Sequence, residues 1–66
     1  MGDRLKELRI EKGLRLIDVA NAVGLTLMAI SNYEQGIREP SIAILIKLCD
    51  FFEVSADYLI GRTDSY

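Results

Sequence analysis

The stretch Leu16–Gly36, which reads LIDVANAVGLTLMAISNYEQG, contains the features that decide the fold. Apolar residues recur in its first half with the spacing of one helix face: Leu16, Val19, Ala20 and Val23. Gly24 follows them at the position where a left-handed residue ends a helix. Thr26 is a good N-cap for a second helix, which Gly36 closes. The stretch therefore predicts two short helices joined by a tight turn.

The joint between these two helices has the arrangement of a helix-turn-helix motif. Ala20 is small, so the second helix approaches the first closely, and Ile30 packs back from the second helix. In this motif the second helix lies in the major groove of DNA. Small all-α domains also contain helix–glycine–helix joints by chance, so the motif alone leaves DNA binding and plain packing as alternatives.

Three further helices are predicted from caps and apolar spacing. The first helix of the chain is capped by Asp3 and stopped by Gly13, and the fourth begins at Pro40-Ser41. The last is capped by Ser55 and stopped by Gly61. Leu5, Leu8 and Lys12 share one face of the first helix, and the last turn carries Tyr58 and Leu59. The residues predicted to face inward are Ile30 and Tyr33 in the third helix and Ile42, Leu45, Leu48, Cys49 and Phe52 in the fourth. No β alternation persists long enough for a strand. The predicted fold class is all-α, with five helices.

Length and composition narrow the possible functions. The chain has 66 residues, a formal net charge of −2, no histidine and a single cysteine. One domain spanning 1–66 is expected, and an internal disulfide or a multi-cysteine zinc site is excluded. Histidine, a phosphate-binding loop and a nucleophile paired with a base are all missing from the sequence. We therefore expect no enzymatic activity, metal, cofactor or small-molecule substrate.

Hydropathy and charge bear on location and partners. The longest apolar run, Ile42–Ile46, is far shorter than a membrane span of about 20 residues, and no export signal is visible. A cytoplasmic protein without a membrane partner is expected. Residues 1–15 carry five basic and three acidic side chains, whereas residues 16–66 carry three basic and seven acidic ones. One end of the chain is therefore basic, and non-specific affinity for DNA is expected to be weak.

Six segments in chain order are distinctive: RLKELR (4–9), DVA (18–20), VGLT (23–26), ISNYEQG (30–36), REPS (38–41) and VSADYLIG (54–61). Together they resemble the Cro and lambda-type repressor domain, the XRE-like helix-turn-helix family, over about residues 3–62, with 63–66 as a short tail. The resemblance implies a compact five-helix lambda-repressor-like domain. It also implies a homodimer on a palindromic operator in double-stranded DNA and, in most cases, transcriptional repression.

The resemblance assigns roles to individual residues. Arg9 and Glu34 match the pair that joins the first helix to the end of the third. The matching DNA-facing positions are Arg15, Leu16, Thr26, Leu27, Met28, Ser31, Asn32, Gln35 and Arg38. Of these, Ser31 and Asn32 have hydrogen-bonding groups for base edges. Phosphate contacts are expected from Arg15, Thr26, Arg38 and the N–H groups at the helix starts.

Three apolar residues depart from the family pattern on this face. Leu16 stands where the family commonly has a phosphate-binding glutamine, and Leu27 and Met28 stand where polar residues read base edges. Leucine and methionine contact only thymine methyl groups or exclude water. Together with Ile17 they form a candidate apolar patch, which is typical of protein interfaces. The alternative function is a protein-interaction module, such as an anti-repressor or dimerising regulator, unless Leu16 simply packs in the core.

The C-terminal part of the chain matches the family segment that often forms the two-fold contact. Tyr58, Leu59 and Ile60 lie in that segment, and Ile44 is apolar where the family is commonly polar. The resemblance thus implies a dimer interface made of these four residues. The alternative is that Tyr58 and Leu59 only close the core of a single chain.

Overall fold

The computed structural model describes all 66 residues, and its regular secondary structure consists only of helices. Its helices are α1 (Gly2–Glu11), α2 (Leu16–Val23), α3 (Leu27–Gln35), α4 (Ile42–Phe52) and α5 (Ala56–Leu59). The predicted five-helix, all-α fold is confirmed. No single helix is long and apolar enough to cross a membrane, and the one pair with sufficient combined length, α2 and α3, is bent by 109°.

The helix ends follow the local chemistry that the sequence predicted. Gly24 and Gly36 end α2 and α3 with φ of +73° and +77°, which a residue with a Cβ adopts only at a cost. Hydroxyl oxygens cap three helices: Thr26 accepts from the Ala29 N–H at 3.2 Å, Ser41 from the Ile44 N–H at 3.3 Å, and Ser55 from the Tyr58 N–H at 3.0 Å. The starts of α3, α4 and α5 are therefore set by these caps.

A single apolar core holds the helices together. Its members come from every helix: Leu5, Leu8, Val19, Ala20, Val23, Ile30, Leu48, Cys49, Phe52, Val54 and Leu59. No polar or charged residue is fully buried. The helix α3 packs against both α1 and α2, α4 packs against α2, and α5 packs against α4. The motif formed by α2 and α3 is thus supported from behind by α1 and α4.

Two positions differ from the sequence predictions. Asp3 is not the N-cap of α1, because the helix begins at Gly2 and Asp3 lies in its first turn. Ile42 is 78% exposed, because the first turn of α4 precedes the part of that helix that packs against the core, which begins at Ile44 and Leu45.

Gly2 marks a close approach between α1 and the end of α3. A Cβ built on Gly2 lies 2.7 Å from the Tyr33 carbonyl oxygen and closer still to that of Glu34. Both atoms belong to backbone, which yields less readily than a flexible side chain. A side chain at position 2 therefore forces α1 and α3 apart.

We expect Gly2→Ala to lower the free energy of unfolding by about 1–3 kcal/mol, the usual cost of overpacking. Lys6→Ala is the matched control, since Lys6 is exposed on the same helix and its loss is expected to change stability by less than about 0.5 kcal/mol. Urea unfolding followed by circular dichroism measures both. Equal stability of Gly2→Ala and the wild type would show that the contact does not constrain α1.

Candidate nucleic-acid interface

The helices α2 and α3 meet at 109° across the turn Gly24–Thr26. This angle falls within the roughly 90–120° of a DNA-binding helix-turn-helix. Ala20 is fully buried at the joint, and its carbonyl oxygen accepts the Leu25 N–H at 2.8 Å. A small side chain and a backbone hydrogen bond therefore fix the angle at which α3 is presented.

The outer face of α3 contains the side chains predicted to read bases. Gln35 donates from Nε2 to the Ser31 Oγ at 2.8 Å, so the two residues form a pair one helical turn apart. Since the Ser31 oxygen accepts from Gln35, its own proton is still available for donation. The half-buried Asn32 side chain makes no hydrogen bond within the protein, so a ligand that binds its amide breaks no internal hydrogen bond.

The residues predicted to contact phosphate differ in how they are held. Arg38 is exposed, and its guanidinium forms no ion pair. Its backbone N–H donates to the Asn32 carbonyl oxygen at 3.4 Å, so the start of the loop is tied to α3. Arg15 and Arg38 are the only cations in residues 15–41. Arg38 is therefore the cation of this face that is available without breaking a contact.

Arg15 is paired with Asp18, a contact that the sequence analysis missed. Asp18 Oδ2 accepts the Arg15 backbone N–H at 2.8 Å and the Nε–H at 3.1 Å, and Oδ1 accepts from Nη2 at 2.9 Å. These hydrogen bonds lower the pKa of Asp18, chiefly through the Arg15 side chain, and raise the pKa of Arg15. The signal was present in the sequence as an acid three residues after the N-cap of α2.

The apolar patch is smaller than the sequence predicted. Leu16 and Ile17 are half-buried and pack against the core, so they do not form an exposed surface with α3. Leu27 and Met28 are exposed at 44% and 64%. Near α3, the exposed apolar side chains are therefore those of its first turn, together with Ile37, which is 65% exposed and precedes Arg38 in the loop after the helix.

Arg9 and Glu34 are brought together from α1 and α3. The Arg9 Nε donates to Glu34 Oε2 at 2.7 Å and Nη2 donates to Oε1 at 3.1 Å, while Nη1 donates to the Leu14 carbonyl oxygen at 3.0 Å. The side chains are only 15% and 6% exposed. The bond to Glu34 raises the pKa of Arg9. The pair fastens the end of α3 to α1 and to the loop before α2.

The residues predicted for a dimer interface lie in different environments. Leu59 is fully buried within the chain, so its assignment to an interface is wrong, because its side chain already faces the core. Tyr58 and Ile44 are half-buried against the core, and Tyr58 is covered by the Arg4 guanidinium at 4.4 Å. Ile60 is 44% exposed and borders a cavity of about 190 Å³ whose other lining residues are Met1, Glu39, Pro40 and Leu45.

Comparison with known proteins extends these observations. The helix-turn-helix family pattern matches residues 5–59. The HTH-type transcriptional regulator ImmR of Bacillus subtilis is 36% identical over 64 residues, which cover 97% of this chain and 50% of ImmR. AnsR, an HTH-type transcriptional regulator of the same organism, is 40% identical over 60 residues, which cover 91% of this chain and 52% of AnsR. The chain thus spans about half the length of these curated relatives.

Among solved structures, the P22 c2 repressor in complex with a synthetic operator is similar to this chain. The two superpose with a TM-score of 0.85 at 31% sequence identity, and the match covers 88% of each chain. The similarity therefore extends over most of the length of both chains.

Proposed function

The chain belongs to the helix-turn-helix family of DNA-binding transcriptional regulators, and we propose that it represses transcription by placing α3 in the major groove of double-stranded DNA. The observation that carries this proposal is the joint of α2 and α3 at 109°, with the half-buried Ser31 and Asn32 on α3, the helix that also exposes Leu27, Met28 and Gln35. The similarity to a repressor that is bound to an operator supports it. Binding over a promoter excludes polymerase, which is the simplest route to repression.

Base recognition is assigned to two polar and two apolar side chains of α3. The Asn32 amide has the donor and acceptor spacing that matches adenine N7 and N6. The Ser31 hydroxyl, with Gln35 donating to it, serves as a donor to guanine N7 or O6 or to thymine O4. Leu27 and Met28 are exposed in the first turn and contact thymine methyl groups.

Phosphate contacts set the register of α3 on the duplex. Arg38 is the leading contact because its guanidinium is unpaired, and Arg15 adds a second, weaker one. Thr26 uses its hydroxyl to cap α3, so its contribution is the local turn that presents the first N–H groups of α3 to phosphate. Because this face has few cations, its affinity for DNA of arbitrary sequence is proposed to be low.

The proposal includes a homodimer on a palindromic operator, with half-sites about 34 Å apart. The contact is assigned to Ile60 and the cavity beside it, together with Tyr58 and Ile44, which are half-buried against the core. Residues 1–66 act as one DNA-binding domain in the cytoplasm, without a membrane partner, small-molecule substrate or catalytic role.

We expect Ile60→Glu to shift the chain to monomer, because it places a charge in an apolar contact. Sedimentation velocity at tens of micromolar measures this, and cooperative binding to a palindrome is expected to be lost. Arg62→Gln, at an exposed position two residues further on, is the control, because it makes the same change of −1 in net charge. A wild-type chain that is monomeric both free and on DNA would contradict the dimer.

A random-site DNA selection tests the proposed function directly. The expected result is an enriched palindrome whose affinity falls steeply with salt concentration. No enrichment together with no salt-dependent binding would instead favour the protein-interaction module, for which Leu27 and Met28 supply an exposed apolar surface.

A further inference from the structure

The pair of Arg15 and Asp18 lies at the start of α2, on the side of the motif that faces DNA in the proposed function. The Arg15 side chain is 78% exposed, whereas that of Asp18 is 32% exposed. Two of the five guanidinium N–H groups are used by the carboxylate, through Nε and Nη2. The guanidinium is therefore held in one orientation, with three N–H groups left for a phosphate.

The same pair limits what Arg15 contributes to DNA binding. A phosphate that approaches the guanidinium also approaches the Asp18 carboxylate, which repels it. The alternative, displacement of Asp18, breaks two side-chain hydrogen bonds. In both cases the attraction of Arg15 for phosphate is reduced. Arg38 has no such acidic partner and keeps its full attraction.

We propose that Asp18 is a specificity-determining residue that restrains the sequence-independent phosphate contact of Arg15. This inference rests on the proposed DNA-binding function. Phosphate contacts add the same affinity to every sequence, whereas base contacts distinguish between sequences. Weakening one phosphate contact therefore lowers non-specific binding and leaves discrimination to Ser31 and Asn32. Asp18 also accepts the Arg15 backbone N–H, so one carboxylate both caps α2 and restrains the cation.

The test measures binding to a mixed-sequence duplex of about 24 base pairs, between about 50 and 200 mM salt. Asp18→Asn keeps an oxygen for the Arg15 backbone N–H and removes the charge. We expect it to bind this duplex about three-fold more tightly at low salt, with a salt slope steeper by up to about 0.9. Glu53→Gln, which makes the same charge change at the end of α4, is the matched control and is expected to leave both quantities unchanged.

Arg15→Gln provides an independent variant, since the exposed side chain is replaced while Asp18 keeps its backbone hydrogen bond. In the wild-type background it is expected to weaken binding to the same duplex by at most about two-fold. In the Asp18→Asn background, the same replacement is expected to remove the whole gain in affinity and slope. If Asp18 has only a structural role, Asp18→Asn changes the melting temperature but leaves the salt slope of DNA binding unchanged.

Three results would overturn the inference while the proposed function stands. Folded Asp18→Asn binds the duplex no more tightly than the wild type, or its gain in affinity persists when Arg15 is also replaced. The third is a ten-fold loss of affinity from Arg15→Gln alone. A chain that binds no duplex in any variant contradicts the proposed function itself. If Asp18→Asn does not fold, the test rests on Arg15→Gln in the wild-type background. A loss of affinity of at most about two-fold supports the inference, and a ten-fold loss overturns it.

Discussion

Glu34→Ala is expected to destabilise the fold more than any other single change considered for this chain. The Glu34 carboxylate is 6% exposed and holds the Arg9 guanidinium through two hydrogen bonds. Its removal leaves Arg9 as a largely buried charge without a counter-ion, which costs about 3–5 kcal/mol. A domain of this size has a total stability of roughly 3–10 kcal/mol. The variant is therefore expected to be partly or wholly unfolded at physiological temperature.

Thermal unfolding by circular dichroism measures this effect. The expected fall in Tm is on the order of 15–30 °C. Glu7→Ala is the matched control, because Glu7 is exposed on α1 and has no ion pair. The double variant Arg9→Met with Glu34→Leu is expected to recover most of the lost stability, since apolar residues of similar size replace both charges. Unchanged Tm in Glu34→Ala would show that the pair does not hold α3 to α1.

Asn32→Ala is expected to have the largest effect on DNA recognition. The Asn32 amide has no partner within the protein, so DNA binding uses it without breaking an internal hydrogen bond. A bidentate contact to adenine contributes roughly 1–3 kcal/mol of discrimination. The affinity for each half-site is therefore expected to fall about 5- to 150-fold, and the loss is larger for a dimer on a palindrome, with little change in affinity for a mixed-sequence duplex.

A repeat of the random-site selection with Asn32→Ala sharpens this prediction. One position in each half-site is expected to lose its preference while the others keep theirs. Asn21→Ala on α2 is the matched control, because Asn21 is exposed and has no side-chain hydrogen bond. An operator affinity that is unchanged in Asn32→Ala, with the same selected sequence, would remove Asn32 from base recognition.

Local chemistry made the helix ends predictable. The glycines at 24 and 36 and the hydroxyl caps at 26, 41 and 55 act on backbone groups within three or four residues, so the sequence contains all the information they need. The Arg15–Asp18 pair belongs to this class, because its partners are three residues apart. The pair could be predicted from the sequence, although the only role predicted for Arg15 was a phosphate contact.

Burial was less predictable at the ends of elements and at the recognition face. Ile42 has the apolar character and helical spacing of a core residue, yet its turn of α4 precedes the packed part of the helix. Leu16 had two alternatives, an exposed patch or the core, and it packs half-buried against the core. Both outcomes depend on how far one helix extends past its neighbours, which spacing along a single helix does not specify.

By itself the sequence determined five helices, their caps, the joint of α2 and α3, and the family resemblance that assigned base-reading side chains to α3. The tertiary structure alone decided that Leu59 is buried, that Gly2 meets the backbone at the end of α3, and that Arg38 is the unpaired cation near α3. The reason is physical. Caps and turns depend on atoms close along the chain, whereas burial and ion pairing depend on which distant segments pack together.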